Sequence, residues 1–446
     1  MHRNGRYVKL AWIGLMSGLA LASPARAELV TKAADQGVLA VAPDGSPRVA
    51  YVVGPNLYLA RRTDGSWRST RVARLPGSRS SVAGLVVDPR SVASTLVEDA
   101  GGKWIVLVRG RKLLQVARAR GANTYGPSGL TLDASGRPAA AYAVRLSSRK
   151  TYLRLVTVHA GGRLRTRGIT LKGFPSSTIA PGAAPVLVGR RLHVVETYTS
   201  AAIDWGPKAG GGWEGQYLFA SRVGSPVGRV GAVVVRSTLF AAWTQASPEL
   251  GPEEISVLVT ASAQTQETGT VTHGVFVTIA NGFTQPEIGA YDWVNLADDW
   301  REYAALVVSG PGGEAWQLDG RLEGYAVTGA SGGRQVLLSR EGNLEWFQAT
   351  PPAPALPGIE IRMAVDATGK ASGTVVAGVG GALEIYREVA HGPRQLVATA
   401  PLAPDGSFEA QLPPPGAGTV YRGVYVDPVT GIPFGFLPGV PVGVSG

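Results

Sequence analysis

Two short clusters in this chain place tryptophan beside carboxylate. One is Asp204-Trp205, followed by Trp213-Glu214 and Tyr217 in a glycine-rich stretch. The other is Tyr291-Asp292-Trp293, followed by Asp298, Asp299 and Trp300. An indole face stacks on a sugar ring while a carboxylate accepts from its hydroxyls. Asp204, Trp205, Trp213, Tyr217, Asp292, Trp293, Asp299 and Trp300 are therefore candidate glycan-binding residues. Paired carboxylates also suit glycoside hydrolysis when their separation is right. The same residues fit an interior role, with the indoles packed between sheets and the aspartates closing turns.

The second candidate is electrostatic. Residues 101–170 hold 14 Lys/Arg and one acid, Asp133, whereas 245–345 hold 14 Asp/Glu and four Arg. Clustered guanidinium and ammonium groups attract phosphate- or carboxylate-bearing polymers. Arg109, Arg111, Lys112, Arg118, Arg149, Lys150, Arg163 and Arg165 are the candidates for such a polyanion site. Arginine on solvent-facing strand positions also serves a merely solvated surface, so both readings stand.

Other chemistries find little support. There is no cysteine, which excludes thiolate nucleophiles and thiolate metal sites. His159, His193, His273 and His391 stand singly, away from metal-ligand spacing. Gly329-Ala330-Ser331-Gly332-Gly333 matches G-x-S-x-G, but a nucleophile elbow needs a helix after the serine. Here Gln335–Ser339 reads as a strand, so a hairpin turn accounts for the glycines. No phosphate loop, dinucleotide fingerprint or calcium loop is present. We assign no catalytic residue, no cofactor and no metal. The balance favours a binding or structural protein over an enzyme, with a carboxylate-pair hydrolase or lyase as the alternative.

The elements that position these residues are short. Glycine (60) and proline (31) are abundant, charged residues make up 17%, and runs of Val, Leu, Ala and Tyr alternate with Gly/Pro/Asp/Ser turns. That pattern predicts many strands and almost no helix. Residues 1–27 read as a signal peptide. They have a basic start, an apolar run from Leu10 to Ala22 and the small-x-small site Ala25-Arg26-Ala27. The run is too short to span a bilayer, and no other segment is long and apolar enough. Removal of 1–27 leaves 39 basic and 32 acidic side chains, a charge of +7. We therefore expect a secreted protein, extracellular, wall-associated or periplasmic.

Internal repeats decide the fold. Leu39-Ala-Val-Ala-Pro-Asp44, Leu85-Val-Val-Asp88 and Leu130-Thr-Leu-Asp133 end in aspartates 44 and 45 positions apart, expected to close equivalent turns. Pro47–Tyr51 matches Pro138–Tyr142 at an offset of 91, two repeats. Each unit continues into a second strand pair joined by a glycine turn, such as Asp64-Gly65 and Gly161-Gly162. A four-stranded unit of about 45 residues cannot bury both faces alone, so units must stack around a channel, as in a β-propeller. The span 28–350 accommodates seven such blades, with six as the alternative.

The repeats resemble those of secreted bacterial propellers of the sialidase-like superfamily, with "P-x-V-A-Y" after an Asp/Gly turn and an "L-x-Y-A…G-x-W" hairpin following. Thr63-Asp64-Gly65-Ser66-Trp67 is a compressed fragment of the sialidase Asp-box, and no complete copy occurs. Sialidase catalytic residues are accordingly not carried over. Residues 351–358 read as a Pro-rich linker. The remaining 359–446 read as a β-sandwich, with strands such as Ser372–Val376, Ala382–Arg387 and Val420–Tyr425. That order resembles the Ig-like domains of secreted actinobacterial proteins, which implies an adhesive or spacer module. The expected architecture is thus all-β: a six- or seven-bladed β-propeller followed by a small Ig-like β-sandwich. The expected partner is an extracellular polymer or a protein, with no specific nucleic-acid recognition. The oligomeric state is left open.

Overall fold

The structure, a computed structural model, describes residues 27–34, 36–146, 151–169, 182–198, 201–220, 225–246, 254–261, 264–272, 275–281, 286–296, 299–309, 315–328, 333–340, 342–349, 360–376, 380–389, 395–416, 419–428 and 433–435. Most of the expected signal peptide and the whole linker lie outside these residues. Among the described residues the only helical element is a single short turn, Ala160–Gly162.

The strands form antiparallel meanders of four. Sheet 1 is Gly37–Val41, Pro47–Val53, Asn56–Thr63 and Ser66–Arg74. Sheet 2 is Ser80–Val87, Ala93–Asp99, Trp104–Arg109 and Lys112–Arg118. Sheet 3 is Gly129–Leu132, Pro138–Arg145, Thr151–Val158 and Leu164–Ile169, with Thr124–Tyr125 also on its second strand. Sheet 4 is Ala183–Val188, Arg191–Tyr198, Ala201–Pro207 and Trp213–Ala220. Sheet 5 is Ser225–Val235, Thr238–Ala246, Glu254–Ala261 and Gln264–Thr272. Sheet 6 is Val275–Asn281, Pro286–Leu296, Asp299–Ser309 and Ala315–Asp319. Sheet 7 is Arg321–Thr328, Gly333–Arg340 and Asn343–Ala349, completed by the N-terminal Glu28–Thr31.

The first strand of each sheet touches the first strand of the next, and that of sheet 7 returns to sheet 1. The chain is therefore a β-propeller, with inner strands around a channel and fourth strands at the rim. The N-terminal strand closes the ring by pairing with Asn343–Ala349. Arg62 of sheet 1 locks it there, donating to both oxygens of Glu28 at 2.7 and 2.6 Å.

Sheets 2 and 3 are covered on both faces, so their middle strands are apolar without alternation. Ile105–Val108 and Ala139–Ala143 are buried continuously. At the channel the inner strands crowd together. A Cβ on Gly84 would lie 2.9 Å from Leu130 Cβ, one on Gly129 2.8 Å from the Ala183 carbonyl, and one on Gly324 2.6 Å from Leu39 Cβ.

The turn equivalence expected from the aspartates is shifted by two residues in the first repeat. Asp88 and Asp133 each donate their N–H to the carbonyl four residues on and accept at their own carbonyl from the residue three on. In sheet 1 the residue making these bonds is Ala42, not Asp44. Asp44 instead accepts from Ser46 N–H at 2.9 Å, inside the turn. The constant feature is a positive φ at the fourth position, held by Gly45, Ser91 and Gly136.

Beyond the ring lie two more sheets. Glu360–Val365, Lys370–Val376 and Ser407–Gln411 form one. The other, in spatial order, is Gln395–Pro401, Ala382–Val389, Thr419–Val426 and Pro433–Gly435. Leu383, Ile385, Tyr421 and Tyr425 join Val375 and Phe408 in a core that also includes Leu322, Val336 and Phe347 of sheet 7. Residues of the opposite face, Tyr386, Glu388 and Arg422, are buried as well. Arg340 of sheet 7 reaches that face, donating to Tyr386 Oη at 3.0 Å and pairing with Glu384 at 3.5 Å.

Candidate functional site

The inner strands enclose a cavity of about 520 Å³. Its lining is largely the backbone edge of the first strands, with few converging side chains: Gln36, Ser81, Arg229, Arg321, Glu323 and Tyr325. Arg229 of sheet 5 crosses to sheet 2, where it donates to the carbonyls of Val82 and Ala83 at 3.2 and 3.1 Å and to Glu98 at 2.5 Å. Glu98 in turn accepts from the Ser128 hydroxyl at 2.8 Å and its N–H at 3.2 Å. Glu323 pairs with Arg321 and accepts from Gly37 N–H at 3.0 Å. These ion pairs satisfy edge groups of the inner strands, and Arg229–Glu98 ties the non-adjacent sheets 5 and 2 together. Glu323 is the one carboxylate lining the cavity among the described residues, and it is bound on both sides. No group of three or more metal-ligating side chains occurs among the described residues.

Sheet 4 carries the first aromatic–acid cluster, and its alternation splits that cluster between two faces. Trp205 lies opposite Val194 in the ladder and is 3% exposed, within the core shared with Ala139, Leu153 and Leu155 of sheet 3. It offers no face to a sugar, which corrects its assignment as a stacking residue. Its indole N–H donates to Glu196 at 2.9 Å. Glu196 is fully buried, its other oxygen has no hydrogen-bond partner, and burial pushes its pKa up to about 7 against the opposing bond from Trp205. Asp204 points to the other face, where His193 Nδ1 lies 3.0 Å from both its oxygens. Trp213 packs against the sheet 3–4 core and Tyr217 is exposed. The structure therefore splits the cluster into a buried Trp205–Glu196 pair, a half-buried His193–Asp204 pair and the exposed Tyr217.

The second cluster lies on the hairpin of Pro286–Leu296 and Asp299–Ser309, where Leu296 pairs with Asp299 and Asn295 with Trp300. The side chains of Asp292, Trp293, Asp299 and Trp300 lie outside the described residues, as does Asp298 altogether.

The basic candidates concentrate at the rim. Arg111, Lys112 and Arg118 are exposed on the outer hairpin of sheet 2, as are Arg163 and Arg165 on that of sheet 3. Arg149 and Lys150 lie outside the described residues. Arg109 is a correction, because its guanidinium is committed to Asp88 at 2.8 Å. Asp88 is buried and also accepts from the N–H of Arg90 and Val92, so this contact belongs to the turn. Composition alone left out the rim of sheet 1, where Arg68, Arg71 and Arg74 are exposed on Ser66–Arg74. Arg71, Val72, Ala73 and Arg74 line a groove with Arg111 of the next sheet.

The acidic stretch behaves differently. Glu287 pairs with Arg334 at 3.0 Å, Asp319 with Arg340 at 3.2 Å, Glu345 with Arg340 at 3.4 Å, and Glu323 with Arg321. Tyr325 donates its hydroxyl to Glu287, and burial together with that carboxylate holds the phenol well above its usual range.

No protein-family model matches the chain, and no curated protein does. Among solved structures, a catalytically inactive virginiamycin B lyase from Staphylococcus aureus with quinupristin is 12% identical, with 72% of this chain and 97% of that chain covered and a TM-score of 0.46. An α-L-arabinanase from Penicillium chrysogenum complexed with arabinobiose is 11% identical, covering 74% and 97%, with a TM-score of 0.43. AofleA from Arthrobotrys oligospora is 12% identical, covering 66% and 88%, with a TM-score of 0.41. None of their activities is carried to this chain.

Proposed function

We propose that this protein is an exported, non-enzymatic binding protein that holds an anionic extracellular polymer along the outer strands of sheets 1–3. In this reading each of the seven sheets is one blade, and the C-terminal sheets form an Ig-like module docked on the last blades. The observation that carries it is the run of exposed arginines on three consecutive rims. Among the described residues no carboxylate pairs with Arg68, Arg71, Arg74, Arg111, Arg118, Arg163, Arg165 or Arg167. Positive charge on an edge strand also blocks sheet-to-sheet aggregation. Here the charge continues from strand to strand, with Arg68, Arg71 and Arg74 on the first rim, Lys112 and Arg118 on the second and Arg165 and Arg167 on the third. The alternative, a propeller glycoside hydrolase or lyase with a carboxylate pair, finds less support. Glu323 at the cavity and Glu98 beside it are each held by an arginine and a backbone N–H.

Attraction of this kind weakens as the screening length falls from about 10 Å at 0.1 M salt to about 3 Å at 1 M. Retention of the mature chain on heparin or purified cell wall is expected to collapse over that range. Replacing Arg111, Lys112, Arg163 and Arg165 by serine together is expected to abolish it without unfolding the chain. Retention that survives both treatments would reduce the rim to a solvated surface.

A further inference from the structure

The outer strand of sheet 1 is irregular at one point. The ladder pairs Leu57 with Ala73 and Tyr58 with Arg71, leaving Val72 as an extra residue. Such a bulge re-aims the side chains beyond it. Arg71 and Arg74, three positions apart, consequently fall opposite Tyr58 and Asn56 on one face of the sheet. A regular strand would send them to opposite faces. The next sheet supplies Arg111 from the turn between Trp104–Arg109 and Lys112–Arg118, and among the described residues these three arginines are the only charged ones lining the groove. All three are exposed, and none is paired with a carboxylate among the described residues.

Three guanidinium groups around one groove repel each other, so an anion that can accept from more than one of them is favoured there. A planar carboxylate that takes one guanidinium bidentately keeps acceptor sites only in its own plane, which suits donors arriving from several directions less well. A tetrahedral oxyanion presents acceptors in several directions and can take donors from all three. We propose that this groove is a docking site for a phosphate or sulfate group. Resting on the polymer-binding reading above, it names the anionic group the polymer would carry. Edge protection alone does not call for the bulge, because Arg68 already charges this strand opposite Arg61.

The test uses the mature chain at low salt, titrated with inorganic phosphate, sulfate and acetate by calorimetry. Phosphate and sulfate are expected to bind and acetate is not. Binding as tight for acetate would overturn the proposal. Arg71→Gln, Arg74→Gln and Arg111→Gln are expected to weaken oxyanion binding about tenfold or more each, the loss of a charged hydrogen bond. Arg190→Gln, an exposed arginine in a turn of sheet 4, is expected to leave it unchanged. Preference for phosphate over sulfate would assign a phosphate-bearing polymer, and the reverse a sulfated glycan. Unchanged oxyanion binding in the triple variant, with its thermal transition intact, would refute the site while leaving polymer retention to be judged separately. Oxyanion binding without any polymer retention would uphold the groove and defeat the broader reading.

Discussion

Glu196 makes stability depend on pH in a direction opposite to most carboxylates. It lies on Arg191–Tyr198, shares a face with Val194, and has Ile203 opposite it in the ladder. Among the described residues, burial and the Trp205 indole set its titration. Its pKa rises from 4.5 to about 7 in the folded protein. Below the unfolded value both states hold the proton, and Glu196 adds no pH dependence. As pH rises between the two values, the unfolded chain releases the proton while the native state keeps it. The unfolded state then binds fewer protons, so stability falls with rising pH. At 1.36 kcal/mol per unit, the loss reaches roughly 3 kcal/mol above the folded pKa. Glu196→Gln removes the titration, and its side-chain carbonyl still accepts from Trp205. Denaturant unfolding of both proteins at pH 5 and pH 8 isolates residue 196, since every other titrating group is shared. The wild type should lose about 2.5 kcal/mol relative to the variant between these conditions, part of the loss having occurred by pH 5, and the variant should be the more stable at pH 8. Identical pH dependence in the two proteins would refute the reasoning and mean that the carboxyl group is solvated or paired in solution.

Asp88→Ala should cost about 2–3 kcal/mol by denaturant unfolding, because it removes two N–H acceptors and the partner of Arg109. Asp44→Ala, whose carboxylate is exposed at the corresponding turn, should shift the transition far less, and equal effects would contradict the register given above. Arg340→Met should cost about 3 kcal/mol, because it strips the fully buried Asp319 of this ion pair, and should speed proteolysis of residues 360–435. Chain cleavage within 351–359 should leave two pieces that co-elute on size exclusion in the wild type and separate more readily in Arg340→Met.

The strands and their hairpins were legible because each meander repeats the same local grammar. Asp64-Gly65, with positive φ at both residues, forms the tight turn its dipeptide predicts. The turn register was not legible, because three well-spaced aspartates outweighed the glycine that sets the backbone. Another signal went unread: Gly37, Gly84, Gly129, Gly231 and Gly324 recur on the inner strands and line the cavity. Trp205 shows why the candidate site was harder to read. In a sheet covered on both faces, period-two alternation separates one neighbouring sheet from the other, and it carries no information about solvent. Trp205 and Asp204, adjacent in sequence, consequently face different neighbours. In the C-terminal sheets, Tyr386, Glu388 and Arg422 alternate with apolar residues like a solvated face, yet they are buried, with Arg340 of the ring reaching that face.

Charge counted along a sequence does not say where the charge ends. The excess of acid over base in 245–345 suggests an acidic side of the ring facing the basic one, able to receive a second copy of the chain. Among the described side chains that stretch turns inward. Three of its four arginines, Arg321, Arg334 and Arg340, pair with Glu323, Glu287, Asp319 and Glu345 within or between sheets 6 and 7. Such pairs set geometry and leave little field outside. In 101–170 one arginine, Arg109, is tied inward to Asp88, while Arg111, Arg118, Arg163, Arg165 and Arg167 remain exposed without a carboxylate partner among the described residues. The basic half is thus a surface property and the described part of the acidic half an internal one. Docking between copies through opposite charge would therefore have to draw on acids other than Glu287, Asp319, Glu323 and Glu345, which are already paired.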